Sequence, residues 1–455
     1  LVFGVDGLAS YHMDRADLLV SFGADFLETW LSPVEYARKF KTMHAHQGGS
    51  KNSFIHVSPF QSLTGANADL WLACRPGTER FIALGLINQL LAAGMGMSLS
   101  PTLRQVLTTS TARFGRDFVV RQAGIPASGY DHLVQHLLKA RRPLILGPGT
   151  GAAGKDGLTT QVTVNLLNLL LDPELDLLDF TRRHRVETAA RRAEVLDFFS
   201  ALDDDTVALL LINNANPVFS MSPDGSLKQA LESSDRFVVC FSSFLDETTA
   251  SADLALPVRM PLESWDEYGG KSGMASTLQP AMGRLTHAPH LGDVLLKTCC
   301  GPDTPSKTYK DYLVSMLSGA LDIRDEFTWA KTLQQGGRFD LPHSPTGLRQ
   351  APAADSIARL FAQQSEANAP ELTFAATPSI RFFDGRGANR PWLCEIPDPL
   401  YRIAWQTPVA LHPETARANH VKQEDVIGIE SRFGSLEAPV VLSELVKPGL
   451  LVMDI

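Results

Sequence analysis

Cysteine is scarce and scattered. The 455 residues hold five, at positions 74, 240, 299, 300 and 394, too few and too spread for a disulfide scaffold. No C-x-x-C occurs, which excludes a framework of closely spaced thiolates for zinc or an iron–sulfur cluster within this chain. No run of 18 apolar residues is free of polar breaks. The nearest, residues 81–93, is interrupted by Asn88 and Gln89 and reads as a buried helix. H-E-x-x-H and G-x-S-x-G are both absent, so neither a zincin helix nor a nucleophile elbow is present. His44 and His46 would point apart on a helix, and the histidines form no metal-ligand set. Positive charge is in the minority: Lys and Arg number 41 against 50 Asp and Glu, a net charge of −9. That argues against a nucleic-acid partner and against a polybasic membrane anchor. What remains is 44% hydrophobic and 20% charged, an ordinary globular composition, at roughly 150 residues per domain enough for about three domains.

The chain opens at Leu1 and stops in the apolar stretch 451–455. The expectation is a piece of a longer protein, with any signal peptide, cluster-binding domain or anchor lying outside it. Between these ends, short apolar runs bounded by Gly or Pro alternate with helical stretches. Residues 16–22, 54–58 and 70–74 read as strands buried on both faces, with a helix over 34–43 between the first two and another from Phe81. A second set follows: strands at 143–146, 207–212, 237–241 and 253–257, with a helix over 160–171. This βαβ rhythm predicts an α/β protein with two Rossmann-like, doubly wound parallel-sheet domains, over 1–115 and 116–300. Residues 301–371 read as an irregular or helical connection. From 372 to 455 the texture is that of a small β-barrel, truncated at its end, with a hairpin from 426–430 to 436–442. Pro439 predicts that the second hairpin strand lies at an edge or bulge.

Several loops carry candidate chemistry, each with a plainer alternative. Gly149 to Lys155 has the G-x-x-x-x-G-K spacing of a phosphate cradle, the mark of a P-loop ATPase. Asp156 stands where a hydroxyl would hold Mg²⁺ and would repel phosphate. A tight strand-to-helix turn is the better account. Asn213, Asn214, Asn216 and Pro217 follow an apolar strand, at the end of the sheet where α/β folds bind ligands; a simple turn is the alternative. Residues 22–30 make a similar loop holding Asp25 and Glu28, with helix-dipole complementarity as the alternative. For Asp246, Glu247 and Thr248 it is helix capping. Cys299 and Cys300 end an apolar helix, where core packing is expected.

Taken together, residues 16–38, 55–79, 211–223 and 237–257 resemble the molybdopterin guanine dinucleotide oxidoreductases in order and spacing. Residues 412–440, followed by Val446-Lys447-Pro448-Gly449, are similar to that family's C-terminal barrel. A narrower likeness, carried by 384–389, 391–399, 22–30 and 263–270, is to the polysulfide-reductase-like branch. Within it, the large molybdopterin-type subunits of alternative complex III and of the quinone reductase complex of sulfate reducers look closest.

That resemblance implies a set of expectations. Gly23, Ala24, Asp25 and Glu28 would line one dinucleotide site, with Arg75, Pro76, Gly77 and Thr78 helping to close it. Asn213, Asn214, Asn216, Pro217, Asp246, Glu247 and Thr248 would line the other. Family members often carry an acid and an Arg where this chain has Ser58 and Phe60, and no cysteine precedes Cys74 to serve as metal ligand. No catalytic residue is assigned and no metal ligand is found. The implied role is the large subunit of a quinone-linked respiratory electron-transfer complex on the periplasmic side of the cytoplasmic membrane, its own metal site vacant. Its partners would be an iron–sulfur subunit, a multihaem cytochrome c subunit and an integral membrane quinone-binding subunit. The alternative is an active molybdenum or tungsten bis-MGD oxidoreductase acting on a small sulfur or oxo anion. An iron–sulfur cluster is expected only if a further domain precedes Leu1.

Overall fold

A computed structural model describes residues 1–455 except 6, 47, 50, 150–155, 203–206, 222–224, 233–235, 302–305, 343–351, 367–371 and 433. The P-loop-like stretch thus lies largely outside the described residues. The chain divides into two compact units. One comprises Leu1–Val5, Tyr11–Asp179 and Gly347–Ile455; the other comprises Asp6–Ser10 and Phe180–Thr346.

The first unit is built on four parallel strands, β1 (Leu18–Ser21), β2 (Ser53–Ser58), β3 (Leu70–Ala73) and β4 (Pro143–Leu146), in the order β3-β2-β1-β4. All four residues of β1 are buried, and so are those of β4. Such unbroken apolar runs need cover on both faces, and helices supply it. They are α1 (Pro33–His44), the single turn α2 (Leu63–Ala66), α3 (Glu79–Ala92), α4 (Arg116–Ala123) and α5 (Gly157–Leu171). Helix α3 is buried continuously from Glu79 to Ile87, which explains why its sequence shows no polar face. No helix of the described residues is long and apolar enough to cross a membrane. The sequence grouped 143–146 with the second domain; its register against β1 (Leu18↔Pro143 to Ser21↔Leu146) puts it in the first sheet. A strand joining a sheet out of sequence order leaves no local signature, which is why the grouping missed it. Order reverses between β1 and β4, the switch point where open α/β sheets leave a crevice beyond their carboxyl ends. There the turns after β1 and β4 touch. Gly149 donates its N–H to the Phe22 carbonyl at 3.1 Å, and a Cβ on Gly149 would lie 1.5 Å from the Gly23 carbonyl oxygen. Only glycine fits there.

The second unit holds a parallel sheet of β5 (Leu209–Asn213), β6 (Phe237–Phe241) and β7 (Leu254–Leu256), ordered as numbered. One face packs Leu210, Ile212, Val238 and Cys240 with Leu227 and Leu231. Leu209 and Leu211 point to the other face and are exposed. The short helix α6 (Glu247–Ala250) follows β6, and α7 (Leu291–Cys300) packs Leu291, Val294 and Leu295 against Val239 and Phe241. Its last turn overhangs that contact, so Cys299 and Cys300 are exposed and not the core residues expected.

The first unit ends in the expected β portion, a curled five-stranded sheet. Its strands are β8 (Thr373–Thr377), β9 (Val409–Leu411), β10 (Val426–Ser431), β11 (Gly434–Leu442) and β12 (Leu450–Asp454), in the order β8-β12-β9-β11-β10. Alternate residues fill separate cores on the two faces: Val409, Leu411, Val440 and Leu451 on one, Ala410, Val441, Leu450 and Val452 on the other. Both sides of the sheet are therefore covered, as strand periodicity requires. The hairpin β10–β11 is antiparallel, but β11 is not at the edge. Pro439 lies one residue before the stretch 440–442 that pairs with β9, so its missing N–H costs no ladder bond there.

Candidate functional site

A strap fixes the C-terminal sheet over the carboxyl rim of β2 and β3. Gln61 N–H donates to the Leu445 carbonyl at 2.7 Å, and Lys447 N–H donates to the Pro59 carbonyl at 3.0 Å. The Lys447 ammonium donates to the Ala73 carbonyl at 3.2 Å and to the Gly124 carbonyl at 2.8 Å. Phe60 packs among Ala410, Val446 and Val452. Where relatives were expected to carry Arg, this chain thus spends an apolar side chain on joining its own two layers.

Between rim and C-terminal sheet lies a small, partly open cleft. From the rim, Gly23, Asp25, Glu28, His56, Ser58 and Phe60 line it; from the C-terminal portion, chiefly Thr377, Asp398, Tyr401 and Asp454 do so. Gly23, Asp25 and Glu28 of the expected first site are thus on the cleft. Arg75, Pro76, Gly77 and Thr78 are not among its lining residues. Arg75 instead donates to the carbonyls of Arg121 (3.1 Å) and Gln122 (3.3 Å) at the end of α4, where a cation suits the helix dipole. Ala24 is wholly buried. The sequence reading missed His56, Asp398 and Asp454. An acid inside the apolar run 450–454 was the one available signal.

The rim acids are already engaged. Glu28 accepts from the Leu63 amide (3.0 Å), the Thr64 amide (3.2 Å) and the Thr64 hydroxyl (3.2 Å), so it caps α2. Asp25 accepts from the Thr29 hydroxyl and, at 3.3 Å, the Thr29 amide. Burial still raises the pKa of both, outweighing these bonds. Asp398 accepts from the amides of Leu400 (2.9 Å) and Tyr401 (2.7 Å). Asp454 accepts from the Thr377 hydroxyl at 2.9 Å. Burial, with the Asp398 charge adding to it, pushes Asp454 up to about 6 against the opposing effects of Thr377 and Arg381. Burial holds His56 neutral, with a pKa of about 3.

The second unit repeats the rim device in the same register. Ser58 donates to the Phe60 carbonyl, as Ser242 does to that of Phe244 at 2.9 Å. The Phe54 amide donates to Asp69 at 2.8 Å, as the Val238 amide does to Asp253 at 2.7 Å. Thr64 is knotted to Glu28, as Thr248 is to Asn216. The repeated strings Ala-Asp-Leu (68–70, 252–254) and Ser-x-Phe (58–60, 242–244) were visible signals of this. Asn216 accepts from the Thr248 amide (3.2 Å) and hydroxyl (2.7 Å) and donates to Glu247 at 2.6 Å. Asp246 accepts from the Thr249 amide at 2.9 Å, the capping role weighed as its alternative. Asn214 takes a left-handed φ of +47°, which Asn tolerates, and donates its N–H to the Phe241 carbonyl at 3.0 Å. Pro217 opens the next helix, and Asn213 ends β5 with its side chain exposed. The structure thus gathers the 213–217 and 246–248 loops on one rim, held by Asn216. Asn216→Ala is expected to destabilise the second unit by about 1–2 kcal/mol. Hydrogen exchange should accelerate at the Thr248 and Val218 amides; unchanged protection there would refute the knot.

The reversed-order parallel sheet and the curled C-terminal sheet define an α/β protein with a C-terminal β portion. Residues 398–455 match the Molydopterin dinucleotide binding domain. Acetylene hydratase from Pelobacter acetylenicus shares the fold, with a TM-score of 0.73 over 100% of this chain and 72% of that one at 15% identity. Over 312 residues, 65% of this chain, the sequence is 30% identical to the menaquinone reductase, molybdopterin-binding-like subunit of Nitratidesulfovibrio vulgaris (strain Hildenborough). The match spans 44% of that relative's length. The chain is thus related to that subunit and matches a molybdopterin dinucleotide-binding domain at its C-terminal end.

The domain matched at 398–455 is described as binding a molybdopterin dinucleotide, and Asp398, Tyr401 and Asp454 of that stretch line the cleft, so the cleft can be tested against that group. Its lining contains four carboxylates, Asp25, Glu28, Asp398 and Asp454, and no Lys or Arg. A diphosphate needs backbone amides or cations around it; here it would meet acids in a partly desolvated space. The cleft does not fit the diphosphate. Among the described residues no group of three or more His, Cys, Asp or Glu could hold a metal ion.

Proposed function

We propose that the chain is part of the large subunit of a quinone-linked respiratory complex, on the periplasmic side of the cytoplasmic membrane. In this role the fold is a scaffold, docking an iron–sulfur subunit, a multihaem cytochrome c subunit and a membrane quinone-binding subunit, with no molybdenum turning over in it. Support comes from the relative, described as a molybdopterin-binding-like subunit of a menaquinone reductase. The observation that carries the vacant-site version is the acid-lined cleft. Elemental analysis of the purified complex tests it: less than a tenth of an equivalent of molybdenum or tungsten is expected, and a stoichiometric content would reject it.

The second reading is an active bis-MGD oxidoreductase acting on a small sulfur or oxo anion. The match of residues 398–455 to the dinucleotide-binding domain favours it. Acid extraction then releases a fluorescent oxidised pterin in proportion to protein, whereas the scaffold reading expects none.

A further inference from the structure

A separate group of side chains lies away from the cleft, beside the amino end of β3. The helix Ala127–Lys139 packs on that strand. Tyr130, Leu133 and Leu137 are its buried residues, and a Cβ on Gly129 would meet the Leu72 side chain at 2.8 Å. This seating turns His132 and His136 outward together, because residues four apart share one helix face. Their rings stand 4.1 Å apart, centre to centre, with 30° between their planes. His132 is exposed and His136 half-buried. Among the described residues neither imidazole has a hydrogen-bond partner in the protein. Other histidines are spent: His44 on Asp69 at 3.0 Å, His290 on the Trp265 carbonyl at 2.9 Å, His412 on the Glu414 amide at 3.1 Å. Asp69, which precedes β3, lies close enough for its charge to act on His136.

Two imidazoles at this spacing form a chelate. A divalent late transition metal binds imidazole nitrogen at about 2.0–2.1 Å, so two such bonds span up to about 4 Å, the separation of these rings. H-E-x-x-H sites use the same i, i+4 geometry. Here the string is His132-Leu133-Val134-Gln135-His136, without the glutamate that would activate water. We propose that His132 and His136 together bind a divalent late transition-metal cation, of the Ni²⁺, Cu²⁺ and Zn²⁺ class, on the outer face of this helix. Water fills the remaining positions, since among the described residues no third His, Cys, Asp or Glu joins them as a ligand. Asp69 contributes negative charge from nearby, its oxygens being engaged by the Phe54 amide, His44 and Lys51. Without a base beside it, the arrangement suits binding and not hydrolysis. Neither histidine is among the residues lining the cleft.

Calorimetric titration of the full chain, free of any histidine tag, tests this with Ni²⁺, Zn²⁺ and Mg²⁺. One equivalent of Ni²⁺ or of Zn²⁺ should bind saturably, and Mg²⁺, which takes oxygen ligands, should not. His132→Gln and His136→Gln should each weaken Ni²⁺ binding by about tenfold or more, the effect that loss of even a ligand's supporting partner has. His132 is exposed, so its replacement reads binding without a folding cost, and melting of the metal-free variants checks this. His287→Gln, at an exposed histidine of the second unit, should leave binding unchanged. The electron paramagnetic resonance spectrum with one equivalent of Cu²⁺ gives a second reading. Coupling to two imidazole nitrogens is expected in the wild type and to one in either variant. Absence of saturable Ni²⁺ binding overturns the proposal, as does binding that persists undiminished in His132→Gln, or Mg²⁺ binding as tightly as Ni²⁺. None of these results bears on the molybdenum or tungsten content that tests the scaffold role.

Discussion

Asn168→Ala is expected to lower the unfolding free energy of the first unit by about 3–4 kcal/mol, one of the two largest single-residue effects in the chain. The reason lies in the sheet order. β4 is an edge strand, so its outer N–H and C=O groups have no neighbouring strand. They are nevertheless sealed from water, since Ile145 is fully buried beneath α5. The Asn168 amide supplies the missing ladder. It accepts from the Ile145 amide at 3.0 Å and donates to the Ile145 carbonyl at 2.8 Å, with a further bond to the Val164 carbonyl at 3.2 Å. Alanine leaves two buried backbone groups orphaned, at about 1–3 kcal/mol each. Asn168→Leu restores the volume but not the bonds, so it should lose nearly as much; recovery in the leucine variant would mean a cavity had been the cost. Asn165→Ala, which breaks only the side-chain pair with Gln161, should stay within about 0.5 kcal/mol. Urea unfolding supplies the energies, and hydrogen exchange at the Ile145 amide locates them. A loss under 1 kcal/mol in Asn168→Ala would refute the account.

Asn168 also shows where the sequence stops being legible. Strands buried on both faces announce themselves as short apolar runs stopped by Gly or Pro, so β1, β2, β4 and β6 were readable to within two residues. Which strands are neighbours was not. The β1–β4 pairing joins residues about 125 apart, and nothing local in 143–146 specifies it. The same holds for the cleft. Asp25 and Glu28 stood out because they interrupt a loop at a strand end. Asp398 and Asp454 reach the same space only because Lys447 and Gln61 clamp the C-terminal sheet to the rim. Where a residue was identified but its role was not, the cause is competition for hydrogen bonds. Glu28 and Asn216 occupy ligand-like positions, yet both are used by a threonine at the start of the following short helix. Spacing alone cannot tell a free acceptor from an engaged one.

Glu79 should give a large dependence of stability on pH. It begins α3, where a carboxylate would normally favour the helix dipole, but it is 1% exposed and neither oxygen has a hydrogen-bond partner. Burial pushes its pKa from 4.5 up to about 8, with Asp156 adding a little. The neighbouring amides of Gly77 and Glu79 and the Arg80 guanidinium pull it back only in part. Arg80 is largely spent on Asp156, at 2.8 Å. Because the folded pKa is the higher one, the native state binds the proton more tightly than the unfolded chain does. Stability is therefore full below about pH 4.5, declines as pH rises, and has lost the whole contribution above about pH 8. At about 1.4 kcal/mol per unit the span is roughly 5 kcal/mol. Glu79→Gln fixes the neutral form with nearly the same shape. It should remove this decline, matching the wild type to within about 1 kcal/mol at pH 5 and exceeding it by roughly 3 kcal/mol or more at pH 9. Urea unfolding at the two pH values measures both. A variant less stable than the wild type at pH 9 would mean that the ionised carboxylate has a partner and that the helix start, not burial, governs this residue.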